Sequence, residues 1–262
     1  MIKLLIAAIL SGVSVVCWGQ FGGHAGIGGK AGTGGGYVAP VGPAFTNDWP
    51  MWGASNTCGS GVACTNTAGL RLAVDAAGSN NATQTNGSQQ PEYLTSQINS
   101  LAAISPGGSN NLPFASTFCQ SGCTMTWFAV MAPNTSNTAA IVGNITSNGG
   151  FTWRVNSSGH QEIDQQGTAL IAQGTVTLTN AAWVGLIAQY NETTGAYAFY
   201  ECATGSTNAD ASGTATSSLT EPISSIGASA ADSSGGTIAE IGYLNTTTTA
   251  GLCSYVNTTY GK

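Results

Sequence analysis

The chain has 262 residues, a length that suits a single large all-β domain. Only 6% of the residues are charged, against roughly 25% in typical soluble domains, so uncharged polar side chains must supply most of the polar surface. The five Lys and Arg residues and the net charge of −6 are too little positive charge to neutralise phosphates. This excludes electrostatic binding of nucleic acids and of anionic lipids.

The first residues predict an export signal. Lys3 precedes an apolar segment, Leu4 to Val16, that is short for a membrane span. Small residues follow, and we expect cleavage after Gly19, so that the signal peptide covers residues 1–19. The alternative is a lipoprotein signal with Cys17 as the lipidated residue. The Val residues directly before Cys17 argue against it, because that position is normally small. The predicted location is secreted or cell-surface.

Residues 20–46 are rich in Gly and predict a flexible linker. The glycines lack the strict triplet of collagen. A Gly-rich phosphate-binding loop would need a strand before it and a helix after it, and neither is predicted here.

Residues 47–262 predict one all-β domain of short strands separated by turns. Strict alternation predicts half-buried strands at 151–155 and 175–179. Nearly continuous apolar segments at 125–131 and 183–190 are typical of central strands covered on both faces. Turn sequences rich in Gly, Asn and Ser recur between these segments. The pattern predicts an antiparallel two-sheet sandwich or jelly roll, with at most a short helical turn near 252–255.

Six cysteines remain after loss of Cys17 with the signal, and an even number in an exported protein favours disulfides. The sequence leaves several connectivities open. Proximity along the chain favours two small loops and leaves the last two cysteines as a long-range pair; the three pairs are Cys58–Cys64, Cys119–Cys123 and Cys202–Cys253. A zinc site is not supported, because His24 and His160 are the only histidines and no finger or ribbon spacing occurs.

Three stretches resemble the bacterial laminin G-like domains of the concanavalin A-like superfamily. They are VDAAGSNNATQTNGSQQPEYLTSQINSLAAI, WVGLIAQYNETTGAYAFYECATGS, and TIAEIGYLN followed by SYVNTTYGK. The resemblance covers Leu70 to Lys262 and implies a jelly-roll fold, which hosts lectins, adhesins, accessory modules and glycanases. It also implies calcium as the cofactor to consider, with Asp75 at an acidic turn position of the family. The alternative is that Asp75 only closes an Asx-type turn.

The chain departs from this family at its C-terminus. The family often ends in a charged helix, whereas this chain ends in TTTTAGLCSYVNTTYGK. We expect a Cys253 disulfide to replace helical packing there.

Two carboxylates on one predicted strand are the strongest indication of enzymatic chemistry. Retaining jelly-roll glucanases carry Glu-x-Asp-x-x-Glu, which places the acids on one sheet face, and this chain has Glu162-Ile163-Asp164. Gln166 or Gly167 stands where the second Glu belongs. Because an amide cannot donate and recover a proton, we expect a solvated polar strand face and no enzyme. A Ser hydrolase is also not supported, since no nucleophile-elbow motif accompanies His160.

Trp49 and Trp52 precede the first strong strand patterns, where an aromatic plane could stack on a sugar ring. The alternative is that both pack the N-terminal segment onto the sandwich. With so few charges, we expect a non-catalytic binding or adhesion module that recognises a glycan or a cell-surface partner. The alternatives are a structural surface or matrix protein and, more remotely, a jelly-roll glycanase.

Overall fold

The computed structural model describes residues 43–119, 122–144, 150–165, 169–215, 222–227 and 235–262. The predicted signal peptide, most of the Gly-rich linker, and both Gln166 and Gly167 lie outside these ranges. Within them the predicted all-β class is confirmed, because antiparallel strands form two large sheets that stack as a sandwich.

One sheet has eight strands. They are β1 (Asn47–Pro50), β6 (Glu92–Ile98), β7 (Leu101–Ser105), β9 (Thr124–Ala132), β14 (Val184–Asn191), β15 (Ala196–Ala203), β16 (Ser206–Thr214) and β18 (Thr237–Leu244). Their order is β16-β15-β14-β9-β18-β7-β6, and β1 also pairs with β18. The hairpin of β15 and β16 therefore forms one edge of this sheet.

The other sheet has ten strands. They are β2 (Thr57–Cys58), β3 (Val62–Ala63), β4 (Leu70–Ala73), β5 (Ala82–Thr83), β8 (Asn111–Phe118), β10 (Ala139–Gly143), β11 (Phe151–Val155), β12 (Gln161–Gln165), β13 (Ala169–Gln173) and β17 (Ile223–Gly227). Their order is β13-β12-β11-β10-β17-β8-β5-β4-β2-β3. A short 3-10 turn covers Gly87–Gln89.

The main core lies between the sheets and is rich in aromatic side chains. The ring centroids of Trp49 and Phe114 are 4.7 Å apart, and those of Trp127 and Tyr243 are 4.9 Å apart. Phe118 contacts Trp127 edge-on at 5.2 Å. Large rings bury much apolar surface and prefer such tilted contacts, so this cluster fixes how the two sheets stack.

A second apolar layer lies on the outer face of the eight-stranded sheet, under the helix α1 (Leu252–Tyr260). Leu252, Val256 and Tyr260 are buried, at the spacing of one helical stripe. Gly185 on β14 permits the close approach, since a Cβ there would lie 3.0 Å from Val256 Cγ2. The helix therefore covers the outer face of this sheet.

The structure agrees with most of the predicted elements and differs at two. Residues 151–155 coincide with β11, and residues 125–131 and 183–190 coincide with most of β9 and β14. The strand predicted at 175–179 is wrong, because the N–H groups of Thr175 and Val176 donate to the Asp210 carboxylate instead of to a neighbouring strand. The C-terminal segment is a nine-residue helix and also carries the disulfide, so the disulfide does not replace helical packing.

Candidate functional site

A polar cluster lies on the outer face of the ten-stranded sheet. Antiparallel pairing sets Arg154 of β11 opposite Glu162 of β12, and Asp164 follows two residues later on the same face. Arg154 Nε donates to Glu162 Oε2 at 2.9 Å, and Arg154 Nη2 donates to Asp164 Oδ2 at 3.0 Å. Asn156 Nδ2 donates to Glu162 Oε1 at 2.6 Å. One guanidinium and one amide thus hold two carboxylates side by side.

The alternation of each strand determines which face carries this cluster. Trp153 and Ile163 are fully buried in the core between the sheets. Their neighbours along the strands, Arg154, Glu162 and Asp164, therefore face away from that core. This face is not the one that α1 covers.

The two carboxylates are much less exposed than a solvated strand face would be. The side chains of Glu162 and Asp164 are 7% and 11% exposed, and that of Arg154 is 19% exposed. The expectation of a solvated face is therefore wrong. Partly buried charges need partners, and here the guanidinium compensates both acids. Sequence reasoning found the two acids on one face but missed Arg154, whose role depends on cross-strand register.

Two further side chains adjoin the cluster. Thr152 pairs with Asp164 across the hairpin, and its buried hydroxyl has no hydrogen-bond partner among the described residues. Buried polar atoms without partners are uncommon in native proteins. Leu170 pairs with Asp164 from β13 and is 52% exposed. An exposed apolar side chain thus flanks the carboxylates, and the Thr152 hydroxyl beside them is fully buried.

All three predicted disulfides are confirmed. Cys58 pairs with Cys64, Cys119 with Cys123, and Cys202 with Cys253, with Cα–Cα distances of 4.9, 5.5 and 4.9 Å. Cys119, Cys123 and Glu192 lie close enough to suggest a metal site. Sulfur atoms joined in a disulfide are not available as thiolate ligands, so this group does not bind zinc. Three disulfides fit an extracytoplasmic protein.

The Asp75 carboxylate is surrounded by N–H donors. Its Oδ1 accepts from the backbone of Asp48, Ala77 and Gly78, and its Oδ2 accepts from Asn80 N and Asn47 Nδ2. This is the turn-closing arrangement that was the alternative to a calcium ligand. A calcium ion at Asp75 would have to displace these donors, and calcium binding there stays a prediction.

Trp49 and Trp52 both pack the N-terminal segment onto the sandwich. Trp49 is fully buried and its Nε1 donates to the carbonyl of Asn80 at 2.8 Å. A buried ring offers no face to a sugar, so stacking by Trp49 is corrected to core packing. Trp52 is half-buried against the second apolar layer, and its Nε1 donates to Tyr260 Oη at 2.8 Å. A sugar contact by Trp52 stays a prediction.

No protein-family model and no curated protein sequence matches this chain. Solved structures match it by fold. A Trypanosoma rangeli sialidase in complex with 2,3-difluoro-KDN aligns with a TM-score of 0.52 and 11% identity, over 84% of this chain and 35% of the sialidase. A GH54 α-L-arabinofuranosidase soaked with a cyclic sulfate inhibitor aligns with a TM-score of 0.53 and 12% identity, over 86% of this chain and 59% of that enzyme. The chain spans less than two thirds of either, and identities this low show a shared fold.

The comparisons correct the predicted function. Both neighbours are glycoside hydrolases, so the prediction of a non-catalytic binding or adhesion module is wrong, and so is the prediction that the chain is not an enzyme. That prediction required a second acid at Gln166 or Gly167, and it did not consider Asp164 itself, which lies beside Glu162 on the same face of β12. No helix in the described part of the chain is long and apolar enough to cross a membrane.

Proposed function

We propose that the protein is a glycoside hydrolase that acts on a neutral glycan, with Glu162 and Asp164 as its two catalytic carboxylates. The observation that carries this proposal is the pair of acids on one sheet face, both bonded to Arg154. Glycosidases that use two carboxylates place them about 5–10 Å apart. Alternate residues on a strand are separated by about 7 Å, which suits this requirement.

The chemistry needs one acid and one base or nucleophile. One carboxyl group protonates the departing glycosidic oxygen, while the other activates a water molecule or attacks the anomeric carbon. The glycosidic bond breaks, and the elements of water are added across it. Arg154 and Asn156 act as positioning residues, because they hold the carboxylates in place before substrate binds.

A neutral glycan is the substrate class that best fits the surroundings. Leu170 offers an exposed apolar surface beside the acids. Sugars present apolar ring faces together with hydroxyl groups, so this surface has a counterpart on the ligand. The scarcity of Lys and Arg argues against a polyanionic substrate.

We also propose the domain organisation and family. Residues 1–19 are a signal peptide, residues 20–46 a flexible linker, and residues 47–262 a laminin G-like domain of the concanavalin A-like superfamily. The two-sheet antiparallel sandwich supports the domain assignment, and the three disulfides support export to an oxidising compartment.

The test is hydrolysis of neutral polysaccharides and of aryl glycosides by the purified exported protein. Glu162→Gln and Asp164→Asn should each lower kcat about 10²–10⁴-fold, because each removes a titratable group from the acid–base cycle. For the variant that lacks the general acid, the loss of activity should be smallest on aryl glycosides with good leaving groups, because these need no protonation of the departing oxygen. Glu92→Gln, at an exposed acid of β6, is the matched control.

Three results would overturn this proposal. One is the absence of turnover on every neutral glycan tested. The second is turnover that both variants retain at the rate of the control. The third is loss of turnover only together with loss of folding, measured by circular dichroism, since it would give the two acids a structural role.

A further inference from the structure

The edges of the two sheets meet on the inner side of β12, opposite the face that carries the candidate catalytic cluster. Gln161 Nε2 on β12 donates to the carbonyl of Tyr200 on β15 at 3.1 Å. The N–H groups of Thr175 and Val176, which follow β13, donate to Asp210 Oδ1 on β16 at 2.6 and 2.8 Å. These contacts join the edge of the ten-stranded sheet to the edge hairpin of the eight-stranded sheet.

Three side-chain oxygens at this junction lack partners. Gln161 Oε1, Glu201 Oε1 and Asp210 Oδ2 are all buried and accept no hydrogen bond within the part of the chain that the structure describes. Gln161 as a whole is fully buried. Buried acceptors are normally satisfied, and leaving a carboxylate oxygen without a donor or a cation costs free energy.

Backbone pairing after β13 relates Asp210 to Gln161 through Gly174. Gln161 pairs with the core residue Val155, so its side chain lies on the inner face of the sheet. Gly174 donates its N–H to the Gln161 carbonyl, and a Cβ on Gly174 would overlap Asp210 Oδ2. The Asp210 carboxylate therefore fills the side-chain space of Gly174, whose N–H is bonded to the backbone of Gln161.

Glu201 completes the group. It follows Tyr200, whose carbonyl accepts the Gln161 amide, and it pairs with the core residue Leu186, so its side chain also points inward. Burial, and after it the charge of Asp210, raises the pKa of Glu201. The described ion pairs are those of Arg154, so neither carboxylate has a side-chain cation as a partner there.

We propose that Gln161, Glu201 and Asp210 bind a divalent cation, with Ca²⁺ as the fitting ion. Two carboxylates and an amide supply oxygen ligands, which Ca²⁺ prefers, and they offer no nitrogen or thiolate for zinc. An ion there would satisfy all three buried oxygens and would link the edges of the two sheets. The proposal does not depend on the glycosidase activity.

The test is calcium binding to the exported protein after it has been stripped with a chelator. Calorimetry should find one site, and Ca²⁺ should raise the thermal midpoint. Tb³⁺ bound at the site should luminesce on excitation of nearby Tyr side chains such as Tyr200. Glu201→Gln and Asp210→Asn should each weaken binding at least tenfold, whereas Gln161→Glu, which supplies another carboxylate oxygen, should preserve it.

The controls separate this site from others. Glu92→Gln should bind Ca²⁺ like the wild type. Asp210→Asn keeps an Oδ1 acceptor for Thr175 and Val176, so it tests the ligand oxygen without removing those bonds. The proposal is overturned if no Ca²⁺ or Tb³⁺ binds, if folded Glu201→Gln and Asp210→Asn bind as tightly as wild type, or if only Asp75→Asn abolishes binding.

Discussion

At the scale of single residues, Asp48 and Glu240 form a pair of buried carboxyl groups. Both carboxyl groups are buried between α1 and the eight-stranded sheet. Glu240 accepts hydrogen bonds from the hydroxyls of Tyr255, at 3.0 Å, and Tyr260. Burial, and after it the charge of Glu240, raises the pKa of Asp48 well above its usual range. Burial also raises the pKa of Glu240, and the hydroxyls oppose this in part. Burial and the neighbouring charge therefore both favour the protonated form of Asp48 over the ionised form.

This proton makes stability depend on pH. A raised pKa means that the folded protein binds the proton more tightly than the unfolded chain does. The resulting stabilisation is complete below the carboxyl pKa of the unfolded chain, about 4, and is lost as the pH rises through the raised value. We therefore expect the free energy of unfolding to fall between pH 5 and pH 8. Asp48→Asn, which replaces this carboxyl group by an amide that does not titrate, should reduce this fall.

Urea denaturation of wild type and Asp48→Asn at both pH values measures the effect. Glu92→Gln, which removes an exposed carboxyl group, should lose as much free energy of unfolding between pH 5 and pH 8 as the wild type does. An equal loss in wild type and Asp48→Asn would show that Asp48 does not bind a proton more tightly in the folded state.

At the scale of elements, the C-terminal helix depends on its disulfide. Cys202 and Cys253 are 51 residues apart, whereas Cys58 and Cys64 are 6 apart. Closing a loop in the unfolded chain costs more entropy when the loop is longer, so the expected stabilisation is about 4 kcal/mol for the first bond and about 2 kcal/mol for the second. Replacing both Cys202 and Cys253 by Ser should therefore destabilise more than replacing both Cys58 and Cys64.

Urea unfolding of the two double variants measures which of them is destabilised more. The dependence of the free energy of unfolding on urea concentration is compared as well, because it reports changes in the unfolded state. The Cys202/Cys253 variant should also lose near-ultraviolet signal from Tyr255 and Tyr260, because α1 packs through them. Equal destabilisation of the two variants would mean that α1 docks without help from the disulfide.

Some of the secondary-structure elements could be predicted from the sequence and others could not. Residues 151–155 were predictable as a strand because their alternation reflects burial on one face only. The helix α1 was not, since Ser, Thr and Asn are weak helix formers and its stability comes from packing on Val130 and Ile187 of the second apolar layer. The strand predicted at 175–179 failed because a side chain distant in sequence, Asp210, accepts the N–H bonds that a neighbouring strand would have taken.

In the candidate site, too, local sequence patterns predict which residues share a face but not which distant residues contact each other. Strand alternation predicts that Glu162 and Asp164 share a face, because it is a local property. Their bonds to Arg154 require the register of β11 against β12. Gln161, Glu201 and Asp210 belong to strands of different sheets and are related only where the two sheet edges join, so no local pattern indicates the proposed ion site.

At the scale of the whole molecule, the two outer sheet faces serve different purposes. The face of the eight-stranded sheet is apolar and lies under α1. The face of the ten-stranded sheet carries the ion-paired cluster of Arg154 with Glu162 and Asp164. Recognition of the proposed neutral substrate beside this cluster must rely on shape, apolar contact and hydrogen bonds, because the cation within the cluster, Arg154, is already paired with two carboxylates.

Glycan turnover should therefore be nearly independent of salt. The whole chain has five Lys and Arg against eleven Asp and Glu, so there is little positive charge from which counterions could be released, and long-range attraction of an anionic ligand is weak. Raising NaCl from about 0.02 M to about 0.5 M shortens the screening length several-fold, yet KM for a neutral polysaccharide should change by less than about twofold. Initial rates on matched neutral and carboxylated polysaccharides at both salt concentrations measure this. A steep rise in KM with salt on the neutral substrate would indicate an electrostatic contact to the glycan, and the neutral substrate class should then be abandoned.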